Sequence, residues 1–105
     1  MEKFTKVLFN EVDYLTDLIT GVMAKEREDR YNDKDFKDIH CKRLRSIEGR
    51  VTELESIIDE MGDSIDRTDK DMLWGMIKDL EGYIDIAQSL IGDRKIREDI
   101  NKRKV

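Results

Sequence analysis

The sequence has very little of three residue types that end helices or build sites: it contains no proline, one cysteine and one histidine in 105 residues. Because proline is absent, no residue forces a helix to end at a fixed point. Cys41 has no second cysteine to pair with, so we expect no intrachain disulfide and a reducing, cytoplasmic location. His40 beside Cys41 is a poor ligand set, so we expect no metal and no cofactor.

Long apolar runs are missing as well. The apolar stretches are only a few residues long, far short of the roughly 20 residues that a membrane-spanning helix needs. The first six residues, Met-Glu-Lys-Phe-Thr-Lys, lack the apolar core of a signal peptide. We therefore expect no membrane among the partners. No segment alternates apolar and polar residues as a half-buried strand would.

Charged residues are abundant, at 43% of the chain against about 25% in an average globular domain. The net charge of −5 argues against nucleic acid as a partner. The charges are unevenly distributed, with eight acids and two bases in residues 53–71 and six bases and three acids in residues 92–105. The apolar residues keep a helical period, which predicts narrow stripes that often need a second copy or a partner to cover them.

The clearest positive signal is a heptad row between Leu44 and Met61. Its members follow one another at spacings of 3 and 4 residues: Leu44, Ile47, Val51, Leu54, Ile58 and Met61. This period predicts one long amphipathic helix. Because residues 32–33 are Asn-Asp, which is typical of turns, we expect this second helix to begin near Lys34 and to end at Met61, before Gly62.

Two further helices are predicted on either side of it. Helix 1 spans about Glu2 to Glu28, followed by good helix formers that could extend it to Tyr31. Helix 3 begins after Thr68, a plausible N-cap residue. We expect Gly92 to end helix 3 as a C-cap, with a short terminal helix or a frayed extension after it.

These segments predict an all-α fold. Short connections favour antiparallel neighbours, so helices 2 and 3 are expected to form a long hairpin against which helix 1 packs. The result is an elongated three-helix antiparallel bundle with a short C-terminal helix. We divide the chain into a helical bundle domain, residues 1–92, and a basic C-terminal short helix or tail, residues 93–105. Because such hairpins commonly dimerise, we expect a homo-oligomer, either a dimer or a larger assembly.

The polar start of helix 2 holds one candidate ligand site. Lys37, His40 and Arg43 follow one another at spacings of 3, on one side of the helix, where the heptad row lacks apolar residues. Together they could bind a small anion such as a nucleotide. The segment has no glycine-rich phosphate loop, and the alternative is that His40 closes the polar end of the core.

The acidic connection between helices 2 and 3 is the second candidate site. Four aspartates lie near the only tryptophan, and we group them as a protein-binding surface: Asp63, Asp66, Asp69, Asp71 and Trp74. Aromatic residues are enriched in the centres of protein interfaces. The alternatives are a solvated turn and a Trp74 that belongs to the core. Trp74 and Ile86 also indicate a second apolar face on helix 3.

Residues 43–51, Arg-Leu-Arg-Ser-Ile-Glu-Gly-Arg-Val, resemble the helix signature Arg-Leu-x-Arg-Ile-Glu-Gly-Gln-Val of the copper- and formaldehyde-sensing repressors. The resemblance covers nine of 105 residues and implies an all-helical tetramer that binds DNA. The key cysteine of that family would fall at Ser64, and the histidine and cysteine that complete its metal site are absent. No site residue is therefore carried over.

No set of nucleophile, base and acid can be assembled from the sequence, so we expect no catalytic residues and no enzyme. The leading hypothesis is a non-enzymatic small helical protein-interaction module: an inhibitor, adaptor or small regulator, such as a phage or bacterial accessory protein. Its partner protein is of unknown identity. The alternatives are an oligomeric binder of a small anionic ligand such as a nucleotide, and a small helical DNA-binding or metal-responsive regulator.

Overall fold

In the computed structural model, which describes residues 3–103, three α-helices make up nearly the whole chain. The elements in chain order are α1 Lys3–Tyr31, α2 Asp38–Glu60, a short 3-10 turn Gly62–Ser64, and α3 Arg67–Arg103. No strand occurs in the described part, so the predicted all-α class is confirmed. Within it, no helix has a stretch both long and apolar enough to cross a membrane. Glu2, the predicted start of helix 1, and residues 104–105 lie outside the described residues.

One apolar row from each helix forms the core. The buried side chains recur at spacings of 3 and 4 residues, because 3.6 residues per turn bring such positions to one face. The rows are Leu8, Val12, Leu15, Ile19 and Val22 in α1, Leu44, Ile47, Val51, Leu54 and Ile58 in α2, and Leu73, Ile77, Leu80, Ile84, Ala87 and Ile91 in α3. The α2 row matches the predicted heptad row except for Met61, which is exposed because α2 ends before it.

Polar contacts also connect α1 and α2 at two places along their lengths. Arg50 of α2 lies 3.1 Å from Glu11 of α1, and its guanidinium lies 5.1 Å from the ring centre of Tyr14. Near the other end, Asp29 of α1 contacts His40 of α2. Residue numbers therefore rise along α1 as those of the α2 partners fall. The molecule measures 59 × 21 × 17 Å.

A Schellman-type turn ends α1. The amide of Lys34 donates to the carbonyl of Asp29 at 2.9 Å, and the amide of Asp33 donates to the carbonyl of Arg30 at 3.2 Å. Asp33 itself has a φ of 52°, the left-handed conformation that this turn requires. These bonds satisfy carbonyls of the last helical turn, so the predicted extension of helix 1 to Tyr31 is confirmed.

The start of α2 differs from the prediction. The first helical residue is Asp38, not Lys34, and Lys37 before it is extended with φ −121° and ψ 125°. The amide of Phe36 donates to the side chain of Glu98 in α3 instead of joining a helix. The connection between α1 and α2 is therefore held against the C-terminal third of α3.

The third helix, α3, continues without a break through Gly92. A glycine inside a helix costs about 1 kcal/mol relative to alanine. Here the core row continues across it, with Ile91 and Arg94 both buried. The predicted C-cap at Gly92 and the separate terminal helix are therefore wrong, and α3 crosses the predicted boundary between residues 92 and 93. At about 1.5 Å per residue, its 37 residues extend nearly the full 59 Å of the molecule.

Candidate functional site

At one end of the molecule, the core row of every helix becomes polar. Glu26 and Asp29 continue the α1 row, His40 begins the α2 row, and Arg94 continues the α3 row. Each stands 3 or 4 residues from its neighbour in that row, so helical geometry directs it inward. All four residues are 4% exposed or less. We call these four residues the buried charge cluster.

The buried charge cluster is a chain of short contacts. His40 Nε2 lies 3.0 Å from Asp29 Oδ2 and 3.7 Å from Glu26 Oε2. Arg94 Nη1 lies 3.3 Å from Glu26 Oε1 and 3.4 Å from its Oε2. Nε of Arg94 also lies 3.7 Å from Oε1 of Glu98, one turn further along α3. The cluster therefore joins the C-terminal ends of α1 and α3 to the start of α2.

Asp29 is ionised within this cluster. Its hydrogen bond with His40 is the main reason that the pKa of the carboxyl lies below its ordinary value of 3.8. Burial opposes this shift, while the charges of Lys25, Lys37 and His40 add to it. Because an unpaired buried carboxylate costs several kcal/mol, the opposite charges around it are needed to keep the helix ends together.

A buried Asp–His pair orients the imidazole in hydrolytic triads, so catalysis has to be considered. Such a site also needs a nucleophile at the second ring nitrogen. Nδ1 of His40 is buried and has no hydrogen-bond partner in the described part of the chain. In residues 3–103, no three His, Cys, Asp or Glu side chains are grouped so as to hold a metal ion. This geometry supports charge pairing, and the lack of catalytic residues stays a prediction.

The three residues predicted to bind an anion do not converge on one space. His40 is buried against Asp29 and Glu26, whereas Lys37 and Arg43 are exposed. Arg43 lines a separate groove of about 540 Å³ between α1 and α2. The carboxylates beside His40 would repel an anion. Anion binding by this set stays a prediction that the geometry does not favour.

A pocket of about 370 Å³ lies beside the buried charge cluster. Its charged lining residues are the bases Arg30, Lys34, Arg94, Arg97 and Lys102 and the acids Asp33, Asp35 and Glu98. Two of the bases are already engaged, since Arg94 contacts Glu26 and Arg30 Nη2 donates to the carbonyl of Leu90 at 2.6 Å. The C-terminal ends of α1 and α3 add partial negative charge. The charges nearly balance, so the pocket selects no class of ligand.

The residues of the predicted protein-binding surface lie at the opposite end of the molecule. Asp63, Asp66 and Asp71 are exposed, and Asp69 is half-buried. Trp74 is also half-buried and packs against the core. Much of its ring is therefore already covered within the chain. Binding of a partner by this set stays a prediction.

A second apolar row on α3 lies beside the core row. Its members, which we call the outer row, are Met72, Met76, Tyr83, Ile86, Leu90 and Ile100. Met76 and Leu90 are half-buried, and the other four are exposed. All but the last stand one residue before a member of the core row, so the outer row is turned about 100° from the core. The sequence indicated this second face through Ile86, but Trp74 lies on the other flank of α3.

Contacts on the two flanks of α3 show which helix borders the outer row. On the flank away from it, the side chain of Gln88 contacts that of Glu48 in α2. On the near side, the carbonyl of Leu90 accepts the hydrogen bond from Arg30 of α1. The outer row therefore lies along the α1 side of α3.

On the α2 side of α3, two carboxyl groups meet. Hydrogen bonding with Glu81 is the main reason that the pKa of Glu55 rises from 4.5 to about 7, and burial and the charges of Glu81 and Asp59 add to the rise. The unfolded chain loses this proton near pH 4.5, whereas the folded protein keeps it up to about pH 7. Stability contributed by protonated Glu55 is therefore present at low pH and is lost as the pH rises through this window.

The substitution Glu55→Gln is expected to flatten the pH dependence of stability between pH 4.5 and about 7. Glutamine keeps the hydrogen bond without the proton exchange. Because the pair is partly exposed, we expect a gain of about 0.5–1 kcal/mol above this window. Urea unfolding on both sides of the window measures the effect. The exposed neighbour Glu60→Gln is the control, and an equal pH slope in wild type and Glu55→Gln would contradict the assignment.

Sequence reasoning missed Glu26, Asp29 and Arg94. The available signal was spacing, because each of them continues an apolar row by 3 or 4 residues. Only His40 was noted there, since it is the single histidine. A charged residue in line with a core row, near the end of a helix, is the pattern that would have identified the others.

Comparison with known protein families, with curated proteins and with solved structures found no match to this chain. The resemblance of residues 43–51 to the repressor signature gains no support from these comparisons. Function therefore has to be inferred from the surfaces of the molecule itself.

Proposed function

We propose that this protein is a non-enzymatic helical interaction module, an adaptor, inhibitor or small regulator, that binds a helix of a partner chain through the outer row of α3. The observation that carries the proposal is the outer row itself, with four exposed apolar side chains and the half-buried Met76 and Leu90 between Met72 and Ile100. Removing apolar surface from water is worth about 25 cal/mol per Å². A partner helix along this face would gain that free energy.

The outer row has the composition of an interface. Met76 and Leu90 are half-buried, while Met72 and Ile86 are exposed to a partner. Methionine adapts its shape to different partners, and tyrosine and methionine are enriched in interface cores. Tyr83 places an apolar ring and a hydroxyl on the same face. An amphipathic helix with apolar residues at spacings of 3 and 4 is the partner that fits such a row.

An elongated antiparallel bundle is the proposed framework for this row. Support comes from the order of contacts, since Glu48 meets Gln88 while Glu55, later in α2, meets Glu81, earlier in α3. The α1–α2 contacts follow the same reversed order. We place the protein in the cytoplasm, where the unpaired Cys41 would stay reduced.

Loss of partner capture in Ile86→Asp is the expected result that tests this function. An aspartate at the centre of the outer row would have to be desolvated, so recovery of bound protein should fall at least about tenfold. Chemical crosslinking in extract of the native host, followed by mass spectrometry, gives the recovery of each partner. Ile39→Asp on α2 is the matched control, because Ile39 is 46% exposed and Ile86 is 48% exposed.

The control separates a specific surface from general stickiness. Partners kept by wild type and Ile39→Asp but lost by Ile86→Asp support the proposal. Equal recovery with all three proteins, or equal loss in both variants, contradicts it. Circular dichroism of each variant verifies that the helices are intact.

A further inference from the structure

The outer row contains charged positions that restrict what can cover it. Between its apolar members, the same spacing of 3 and 4 passes through Asp79, Asp93 and Arg97, all of which are exposed. A partner helix must therefore offer apolar groups at most layers and opposite charges at these three. Few surfaces satisfy both requirements, which makes the row selective.

We infer that a second copy of this chain covers the outer row, with the two α3 helices packed antiparallel about a two-fold axis. The inference rests on the proposed function and names its partner. Charge along α3 favours this orientation, because residues 67–85 carry five acids and three bases while residues 86–103 carry five bases and three acids. Antiparallel pairing brings the acidic half of each helix to the basic half of the other.

One alignment of the two helices pairs every position of the outer row from Met76 to Ile100. When Ile86 lies opposite Leu90 of the second copy, Met76 lies opposite Ile100, since the rows meet in reverse order. Asp79 then lies opposite Arg97, and Tyr83 opposite Asp93, whose carboxylate can accept a hydrogen bond from the phenol.

Alignments shifted by one heptad do not pair the charged positions in this way. A shift of one heptad in one direction places Asp79 against Leu90 of the second copy. The opposite shift places Arg97 against Ile86. Each shift buries charge against an apolar side chain without a partner, which is costly. The outer row therefore specifies one alignment through its charged positions, as polar core residues do in coiled coils.

The flank of the row that faces away from the core is open. Gly75 and Gly82 are exposed, and a Cβ built on either would meet nothing within 4 Å. These positions border the outer row on the solvent side, so the backbone of a second helix can approach closely there. The two-fold axis repeats each layer twice, so a single substitution acts at two places.

The expected result is a dimer of the full-length chain whose stability depends on the pairing of Asp79 with Arg97. Asp79→Arg or Arg97→Asp alone places like charges in two layers and should raise the dimer Kd at least about tenfold. The double variant, Asp79→Arg with Arg97→Asp, restores opposite charges and should bring Kd to within about threefold of wild type. Sedimentation equilibrium at micromolar concentration measures Kd.

Asp13→Arg, at an exposed position of α1, is the charge-matched control and should leave Kd unchanged. A monomeric wild type, or a dimer indifferent to both single reversals, overturns the inference. Failure of the double variant to recover overturns the alignment, provided that circular dichroism shows folded helices. If the chain is monomeric and partner capture still depends on Ile86, the proposed function stands and the self-pairing does not.

Discussion

Replacing Arg94 with methionine is expected to lower the free energy of unfolding by about 3–5 kcal/mol, the range for breaking a buried ion pair by removing one partner. Arg94 Nη1 lies 3.3 Å from Glu26 Oε1, and Glu26 is 1% exposed. Methionine has a similar length but no charge, so Glu26 would remain buried with only His40 Nε2, 3.7 Å away, near its carboxylate. Urea denaturation at a fixed protein concentration measures the loss, because self-association would otherwise shift the midpoint.

Two controls distinguish lost pairing from lost packing. Lys95→Met changes the exposed neighbour in the chain and should alter stability by no more than about 0.5 kcal/mol. Glu26→Leu combined with Arg94→Met removes both partners and should recover at least half of the loss, since apolar replacements of buried pairs are often tolerated. A loss below about 1 kcal/mol for Arg94→Met would contradict the assignment of Glu26 as its essential partner.

Truncation of Leu15 to alanine is expected to cost about 2–5 kcal/mol through lost burial and the cavity left behind. Leu15 is 0% exposed and stands in the middle of the α1 row. The molecule is only 17–21 Å across, so few layers of side chains surround the gap and can move to fill it. For a domain of this size, the melting temperature should fall by at least about 10 °C in differential scanning calorimetry.

The matched control for Leu15→Ala is Val7→Ala on the same helix. Val7 is 56% exposed, so its truncation should change stability by no more than about 0.5 kcal/mol. Both substitutions leave a good helix former and therefore test packing more than helix propensity. Similar losses at the two positions would contradict the assignment of the α1 core row.

Helical period alone was enough to predict the core of α2. The residues Leu44 to Ile58 are buried as their spacing indicates, because a heptad row of that length has no alternative period. Local signals at helix ends were less reliable. Gly92 is a common C-cap residue, yet α3 continues because Ile91 and Arg94 are buried on either side of it. Contacts made by other helices decided that outcome.

The buried charge cluster was only partly predictable for a related reason. His40 attracted attention as the single histidine, and its polar environment was expected from the end of the heptad row. Its partner Asp29 lies in a run of charged residues that resembles an ordinary solvated helix end. Which face of that run is buried depends on where α3 packs, and this cannot be read from residues 25–30 themselves.

The outer row was visible in the sequence only as extra apolar width on helix 3. Of the outer row, only Ile86 was assigned to a second face. In the structure, Tyr83 is exposed and Leu90 is half-buried. When a helix has two adjacent apolar rows, its sequence does not show which row is buried in the core. The distinction therefore required the positions of α1 and α2.

The contact between Arg94 and Glu26 also restricts axial displacement of one helix against the others. Rows of interchangeable aliphatic side chains repeat every seven residues, so a helix displaced by seven residues would still have apolar neighbours. Such a slip would bring Glu26 beside Ala87, seven residues before Arg94, and would leave its carboxylate among apolar groups. The buried charge cluster therefore fixes the axial position of the three helices relative to one another. A chain shortened at the end opposite the buried charge cluster would keep this axial position fixed, whereas a chain shortened at the end that holds the cluster would not.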